Sequence, residues 1–419
     1  MTGLLDVIVI GAGAAGLAAT RALREAGLQV ATLEARDRIG GRAWTESSTF
    51  GFPFDRGCHW LHSAKVNPWV GYGEEHGFSM YADPDGDATF VGGAKASEGE
   101  SDAFFSAYQG FVKRVAEAAD RGVDAPLSDY LDMGDPWALS VAGMVTHGDF
   151  GKPLEEVSTL TYPGHDDYDD NWFCKEGFGA LVAHYGRNLA VELGAPVRRI
   201  AWGGQGVSVE TSIGVLAARA VVVTATTGAL AAEKIRFDPV LPPEKVESFH
   251  AFPMGLYNHI ALLFSHDVLE LGPDAYVYTR VQSDEPSSWI SNVGGTGLTL
   301  IWVGGSLASD LEKAPVESAL EYGLDRVAEL AGNSARAAFI QGDYTRWGQD
   351  PWTLGSYGSL KPGAAVAGER LRRPVGDRIF FAGDMCHEEL SGSCAGAFVS
   401  GLEAAKQVIR RLRREAGRR

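Results

Sequence analysis

The chain opens on a short apolar run rich in β-branched residues, Leu4–Ile10 (LLDVIVI), which predicts a buried parallel strand. GAGAAG follows at once. LAATRALREAG then shows helical spacing up to Gly27, a C-terminal stop signal. Gln29–Ala35 (QVATLEA) predicts the next strand, so the N-terminus reads as a βαβ unit. Residues 83–103 are dense in Asp, Gly, Ser and Glu and predict a loop. Apolar spacing predicts helices over 103–121, 181–193 and 320–330. Short apolar runs predict strands over 207–210, 215–224, 260–264, 298–303 and 378–382, and a long last helix over 395–412. No fixed repeat and no linker interrupts this pattern, which points to interleaved rather than consecutive domains.

Composition narrows the class. A chain of 419 residues with 45% hydrophobic and 22% charged residues has the makeup of a folded globular protein of two to three domains. Glycine is high, 53 residues, as close backbone approaches to a nucleotide require. The net charge of −17 disfavours nucleic acid and favours cationic small molecules. The last fourteen residues run the other way, with seven bases against Glu415. They read as a solvated helix end and tail, with a membrane or partner contact as the other reading. Four scattered cysteines without a CxxC pair form neither a disulfide framework nor a metal site, and fit a reducing cytoplasm. Asp6 and the glycines break up Leu4–Ala26, so no signal peptide or membrane span is expected there. A homodimer is compatible with all of this.

Three motifs carry chemistry. Gly11, Gly13 and Gly16 form GxGxxG between a strand and a helix, with Glu34 at the end of the following strand. Gly11 serves the tight turn, Gly13 the approach to a pyrophosphate, and Gly16 the helix–strand contact. The helix N-terminus offers free N–H groups to the phosphates, and Glu34 is expected to accept ribose hydroxyls. Ala15 within the loop, and Ala35 and Arg36 after Glu34, extend the expected contact surface. Next come Arg38, Gly40, Gly41 and Arg42, an RxGGR element that follows this unit in many FAD enzymes and selects FAD over NAD. Near the C-terminus, Gly383 turns and Asp384 is placed to accept from a ribityl chain. The stretch Gly392–Ser393–Cys394–Ala395–Gly396 starts the last helix, whose N-terminus is expected to face the flavin N1–C2=O edge.

Together these motifs resemble the flavin amine oxidases, among them monoamine and polyamine oxidases and lysine-specific histone demethylases. DRGCHWLHSAKVNP, which holds Gly57, Trp60 and His62, is similar to the family's tryptophan segment beside the flavin, in its polyamine-oxidase form. KEGFGALV, Ala195–Pro196–Val197, IRFDPVLPPEK and WGQDPWTLGSYGSLKPG resemble further family segments, so the resemblance spans nearly the whole chain. It implies a two-domain α/β fold. A Rossmann-type FAD domain over 1–75, 190–240 and 365–419 would interleave with an α+β substrate domain of sheet and helices over 76–189 and 241–364. It implies Val197 at the adenine, and Trp347 or Trp352 against the cofactor. The implied reaction is oxidation of a primary or secondary amine by hydride transfer to flavin N5. The imine hydrolyses, and O2 is reduced to H2O2.

The sequence departs from the family in three places. His259 stands where a lysine is usual, in Pro253–Met254–Gly255–Leu256–Tyr257–Asn258–His259–Ile260. It is expected either to hold the lysine's water or simply to pack. Tyr357 matches one ring of the family's aromatic cage, but Ser393 occupies the position of the other, which leaves the cage open. Ser356 replaces a cysteine that attaches FAD in some members, so non-covalent FAD is expected. His62 is read as facing the substrate mouth or capping a turn. The acidic run His165–Asp170 is read as a solvated loop or a steering patch for cationic amines. Alternative readings are a desaturase or dehydrogenase of a non-amine substrate, an amine dehydrogenase with another acceptor, and a flavin-bound scaffold.

Overall fold

The structure, a computed structural model, describes residues 4–84, 86–161 and 170–416. The acidic run of 165–169 lies outside the described residues.

Two seven-stranded sheets organise the chain. In the first, Leu5–Ile10 lies between Val30–Leu33 and Gly214–Val223, parallel to both. Its residues Val7, Ile8 and Val9 are fully buried, as a strand covered on both faces requires. The long strand Gly214–Val223 has two partners on its other side. Its first half pairs antiparallel with Val207–Thr211, and its second half pairs parallel with Ile379–Phe381. Val197–Ala201 and Arg236–Asp238 complete the sheet. Segments from the start, middle and end of the sequence thus meet in one sheet.

The helix Ala14–Glu25 follows the first strand and packs along the last helix, Cys394–Ala416. Their approach is close. A Cβ on Gly401 would lie 2.1 Å from the Ala15 carbonyl oxygen.

The second sheet runs Phe339–Tyr344, Tyr257–Phe264, Leu298–Gly304, Ser288–Val293, Ala275–Thr279, Asp87–Val91 and Ala94–Lys95. It is antiparallel except where Ala275–Thr279 meets Asp87–Val91. Seven of eight residues of Tyr257–Phe264 are buried, and His259 lies opposite Trp302 across the ladder. The sheet and its helices bury their own core around Trp289, Ile260, Leu262 and Ile301.

The sequence reading differs from this fold in two regions. The stretch 83–103 is not a loop. It holds Asp87–Val91 and Ala94–Lys95, joined at Gly92–Gly93 with both glycines at positive φ, and the helix Glu98–Asp120 starts within it. A two-glycine hairpin turn explains the glycine density. The helix placed over 181–193 is Phe178–Gly186. It begins earlier because Asp55 accepts from the Phe178 and Gly179 N–H groups, at 3.1 and 3.3 Å, and so caps it from another part of the chain.

Adding a methyl group at the helix–helix contact is expected to be costly. Gly401→Ala should destabilise by about 1–3 kcal/mol through overpacking, read as a lower denaturation midpoint. Gly363→Ala, with nothing within 4 Å of its added Cβ, serves as a surface comparison whose loss should be limited to backbone strain at φ +81°.

Candidate active site

A large cleft lies along the C-terminal ends of the first sheet's parallel strands. It spans about 1430 Å³, including the part open to solvent. Ligands of open α/β sheets bind in this position.

One wall is the start of the first helix, with Gly11, Gly13, Ala14 and Ala15. Gly11 has φ +99°, and a Cβ there would strike the Thr224 hydroxyl at 2.4 Å. The helix's N-cap is Gly13, which has no side chain to bond the first-turn N–H groups, and no acid lies in that turn. An uncapped, positive helix end open to a cavity suits a pyrophosphate. A second wall holds Glu34, Ala35, Arg36 and Ala195–Arg198. The buried Glu34 carboxylate accepts the Ala12 and Arg36 N–H groups at 2.7 and 2.9 Å. Its position is fixed before any ribose arrives. Arg36 is paired with Asp350 at 2.6 Å, which ties this wall to the segment around Trp352.

The third wall joins three distant segments. Arg42 makes a two-pronged pair with Asp384 at 2.6 and 2.9 Å and donates to the Ser356 carbonyl at 2.6 Å. Burial works against the charged guanidinium, but Asp384 overrides it and holds the Arg42 pKa above its ordinary value. Gly383, Gly392, Ser393 and Cys394 line the same wall. Ser393 is the cap of the last helix: its hydroxyl accepts the Gly396 N–H at 2.9 Å and donates to the Leu390 carbonyl.

Tyr357 lines the cleft and starts a chain of ring contacts leading away from it. Tyr257 lies 5.7 Å from Tyr357, His259 5.3 Å from Tyr257, and Trp60 6.4 Å from His259. Trp60 also meets Trp302 and lies parallel to His62 at 6.4 Å. His62 bonds Asn171 at 2.7 Å through Nδ1, and its carbonyl accepts from Asn67. His259 is 1% exposed, and neither ring nitrogen has a hydrogen-bond partner in the protein. Burial, helped by neighbouring His59, pushes its pKa down to about 4, so it is neutral at pH 7.

The cleft therefore brings together Gly11, Gly13, Ala15, Glu34, Ala35, Arg36, Gly40, Gly41, Arg42, Val197, Tyr357, Gly383, Asp384, Ser393 and Cys394. Of the other expected residues, all but Trp352 lie outside its lining. Gly16 and Gly57 are packing positions, where a Cβ would lie 1.9 Å from the Gly11 oxygen and 1.7 Å from the Arg42 oxygen. Trp347 is buried against Gly57 and donates to the Arg56 carbonyl, while Trp352 reaches the cleft. Trp60, His62 and His259 belong to the aromatic run.

The sequence reading missed Thr224–Thr226, which line the cleft at the end of the longest strand. Threonines after a β-branched run were the available signal. It also missed Tyr257, and it missed His59, whose Nδ1 bonds Asp55 at 3.0 Å and whose Nε2 has no partner. His59 was visible only as a neighbour of Trp60, because the Asp55 contact that orients it is tertiary.

Such a cleft, an uncapped helix end facing a carboxylate-bearing strand with rings beyond it, defines a dinucleotide-cofactor oxidoreductase. The sequence profile of the flavin containing amine oxidoreductases matches residues 14–132 and 117–409, and the chain belongs to that family. It is a flavin-dependent amine oxidoreductase. It is 29% identical to polyamine oxidase 3 of Oryza sativa subsp. japonica, over 97% of this chain and 90% of that protein. It is 27% identical to lysine-specific histone demethylase 1 homolog 1 of the same plant, over 98% of this chain but only 53% of that protein. Two solved structures share the fold. They are a wild-type putrescine oxidase bound to putrescine (TM-score 0.82, 20% identity, 97% of this chain and 99% of that one) and a cyclohexylamine oxidase from Brevibacterium oxydans IH-35A (TM-score 0.81, 24% identity, 98% and 100%). Among the described residues no helix is long and apolar enough to cross a membrane, and no acid, histidine or cysteine cluster could hold a metal ion.

The buried His259 makes stability depend on pH. Its folded pKa of about 4 lies below the ordinary 6.5, so the unfolded chain binds the extra proton between these values. Stability from this site is fully present above pH 6.5 and falls by about 3 kcal/mol on going to pH 4. His259→Gln, which cannot titrate, should flatten that part of the stability–pH curve measured by denaturant titration.

Proposed function

We propose that the protein oxidises a primary or secondary alkylamine, of polyamine type, using non-covalently bound FAD in a Rossmann-type site. The observation that carries this reading is the ring run that leaves the cleft at Tyr357 and passes through the buried, neutral His259. Bound FAD would supply a hydride acceptor for the carbon next to the amine nitrogen, and water would hydrolyse the resulting imine.

The chain's own residues do the rest. The N–H groups of the first helix turn hold the pyrophosphate, and Glu34 accepts from the adenosine ribose. Val197 supports the adenine, and Asp384, fixed by Arg42, accepts from the ribityl chain. Tyr357, with Tyr257 5.7 Å from it, offers a ring face to an alkylamine. Both rings attract the cationic form of the amine, and the net charge of −17 favours its approach. Chemistry needs the neutral amine. A neutral His259 adds no positive charge against either form, and its unpartnered nitrogens suit a bound water that takes up the proton. Ser356, not cysteine, near the cleft supports non-covalent attachment. O2 is the expected electron acceptor, with H2O2 as product. The names of the relatives, polyamine and putrescine oxidases, support the substrate class, and four free thiols support a reducing cytoplasmic setting.

Replacement of the usual lysine by His259 favours one second reading, a dehydrogenase that passes electrons to a carrier other than O2. Anaerobic mixing with a panel of amines separates the readings. An alkylamine is expected to bleach the yellow flavin, and air should restore the colour within the turnover time. Bleaching with slow return in air would select the dehydrogenase. No bleaching by any amine would overturn the substrate class. His259→Ala should slow reduction or reoxidation by about 10²-fold, the low end for a positioned proton-transfer group. Unchanged rates would reduce His259 to packing. Acid precipitation should release all the flavin into the supernatant, and colour kept in the pellet would refute non-covalent attachment.

A further inference from the structure

Pro351, Trp352 and Thr353 line the cleft, as do Glu34, Ala35 and Arg36. The first stretch follows the strand Phe339–Tyr344 of the second sheet, and the other follows Val30–Leu33 of the first. One carboxylate joins them. Asp350 accepts the Trp352 and Thr353 N–H groups on Oδ1, at 2.9 and 3.0 Å, which folds the chain into a tight turn. Its other oxygen, Oδ2, pairs with the Arg36 guanidinium at 2.6 Å, and the two side chains are sheltered, at 22% and 10% exposure. The Arg36 N–H in turn donates to Glu34 at 2.9 Å. Contacts therefore run unbroken from Glu34 through Arg36 and Asp350 to the turn at 351–353. The base of the segment is fixed separately. Asn258 and Glu312 accept the Trp347 and Gly348 N–H groups, and the Gly355 N–H returns to the Trp347 carbonyl at 2.9 Å. At the tip, the Thr353 carbonyl accepts the Thr226 hydroxyl at 2.9 Å. Residues 347–355 thus form a strap anchored at the second sheet, and an ion pair fastens its tip to the wall that carries Glu34.

We propose that Asp350 is a positioning residue that latches this strap at the adenosine side of the cofactor and so sets how fast FAD enters and leaves. The inference rests on the FAD site of the proposed function. A fully exposed ion pair would hold a strap weakly. This one is shielded, and a short contact between two charged groups is among the stronger kinds. Asp350 also divides its work between its oxygens. Asparagine at this position keeps an oxygen for the two N–H groups of the turn and removes only the charge that holds Arg36. The turn should persist while the latch opens. A closed strap delays a ligand in both directions, because it must lift before entry and before exit. Opening the latch therefore speeds both steps, whereas damage to a binding surface speeds exit alone.

The test uses the purified full-length holoprotein, and apoprotein prepared from it, with free FAD as the probe. Release is read as the rise in flavin fluorescence on dilution of the holoprotein, and rebinding as its fall when apoprotein meets FAD. Asp350→Asn is expected to release FAD about tenfold faster than the unmodified chain and to rebind it at least as fast, so that affinity falls less than the release rate rises. Arg36→Gln cuts the same latch from the other wall and leaves the turn alone, and it should reproduce both changes. The double variant should release FAD no faster than either single one, because each removes the same pair. Faster release with slower rebinding in both variants would overturn the proposal, since it marks a damaged surface and not an opened strap. So would a double variant in which the two effects add. FAD held with release unchanged in both variants would overturn this inference alone, and a chain that takes up no FAD would overturn the proposed function with it.

Discussion

Everything in the cleft depends on the buried pair between Arg42 and Asp384. The two residues are 342 positions apart and come from opposite ends of the sequence. Arg42 also donates through Nη1 to the Ser356 carbonyl, so one guanidinium fixes three segments in one place. A buried ion pair is not placed there for stability alone, because taking both charges out of water costs nearly what their attraction returns. What it secures is register. The fork of Arg42 matches the two carboxylate oxygens in one orientation only, and lysine could not reproduce that geometry. The first sheet supports the same closure through its backbone, since Ile379–Phe381 joins it beside Gly214–Val223, one strand away from Leu5–Ile10. The pair therefore tightens an approach that the strands have already made.

The same logic runs through the second sheet, with a different outcome. Asn258 is wholly buried, accepts the Trp347 N–H at 2.9 Å and donates to Glu312 at 2.8 Å, and Glu312 also accepts the Gly348 N–H. This network pins the segment that runs from Trp347 to Tyr357. Its neighbour on the strand, His259, is equally buried but has no protein partner on either ring nitrogen. Two adjacent polar residues on one strand thus have opposite fates. Asn258 is satisfied and structural, while His259 carries unmet hydrogen-bonding capacity into the rings beyond the cleft. A buried polar group left in that state asks for water or ligand. It is the physical reason for giving the catalytic reading to His259 rather than to its neighbour.

The parts of the site that local physics dictates were legible in the sequence. Gly11 must take a positive φ, and the strand–turn–helix around it is written in consecutive residues. Arg42, Asp384 and Glu34 were legible because each follows a turn or strand end that the local pattern marks. What the sequence hid is what tertiary contact creates. Ser393 was read as a gap in an aromatic cage. In the fold it caps the last helix, and Tyr257, two residues before His259, stands near Tyr357 instead. Gly16 packs helix against strand, as its place in the motif implied, whereas Gly57 and Trp347 were read as facing the cofactor and lie outside the cleft lining, because a motif fixes which residue types occur together and not which of them faces the cavity.

That distinction between facing and backing residues bears on how the chemistry is tuned. The lining of the cleft is rich in glycine and alanine, and several of its charged groups have their partners already inside the protein. Glu34 is held by two N–H groups, Arg36 by Asp350, and Arg42 by Asp384. Such a surface binds a cofactor with little reorganisation, because its dipoles and charges are oriented beforehand. Behind this lining lie the Asp55–His59 pair, His259 and the Trp60–Trp302 contact. At His259, burial favours the neutral ring. A lysine at position 259 would have to lose its proton or find an anion in the same space, whereas histidine enters neutral at no such cost. The change of one residue type thus alters the electrostatics of the ring run while leaving the cleft lining, built from other segments, as it was.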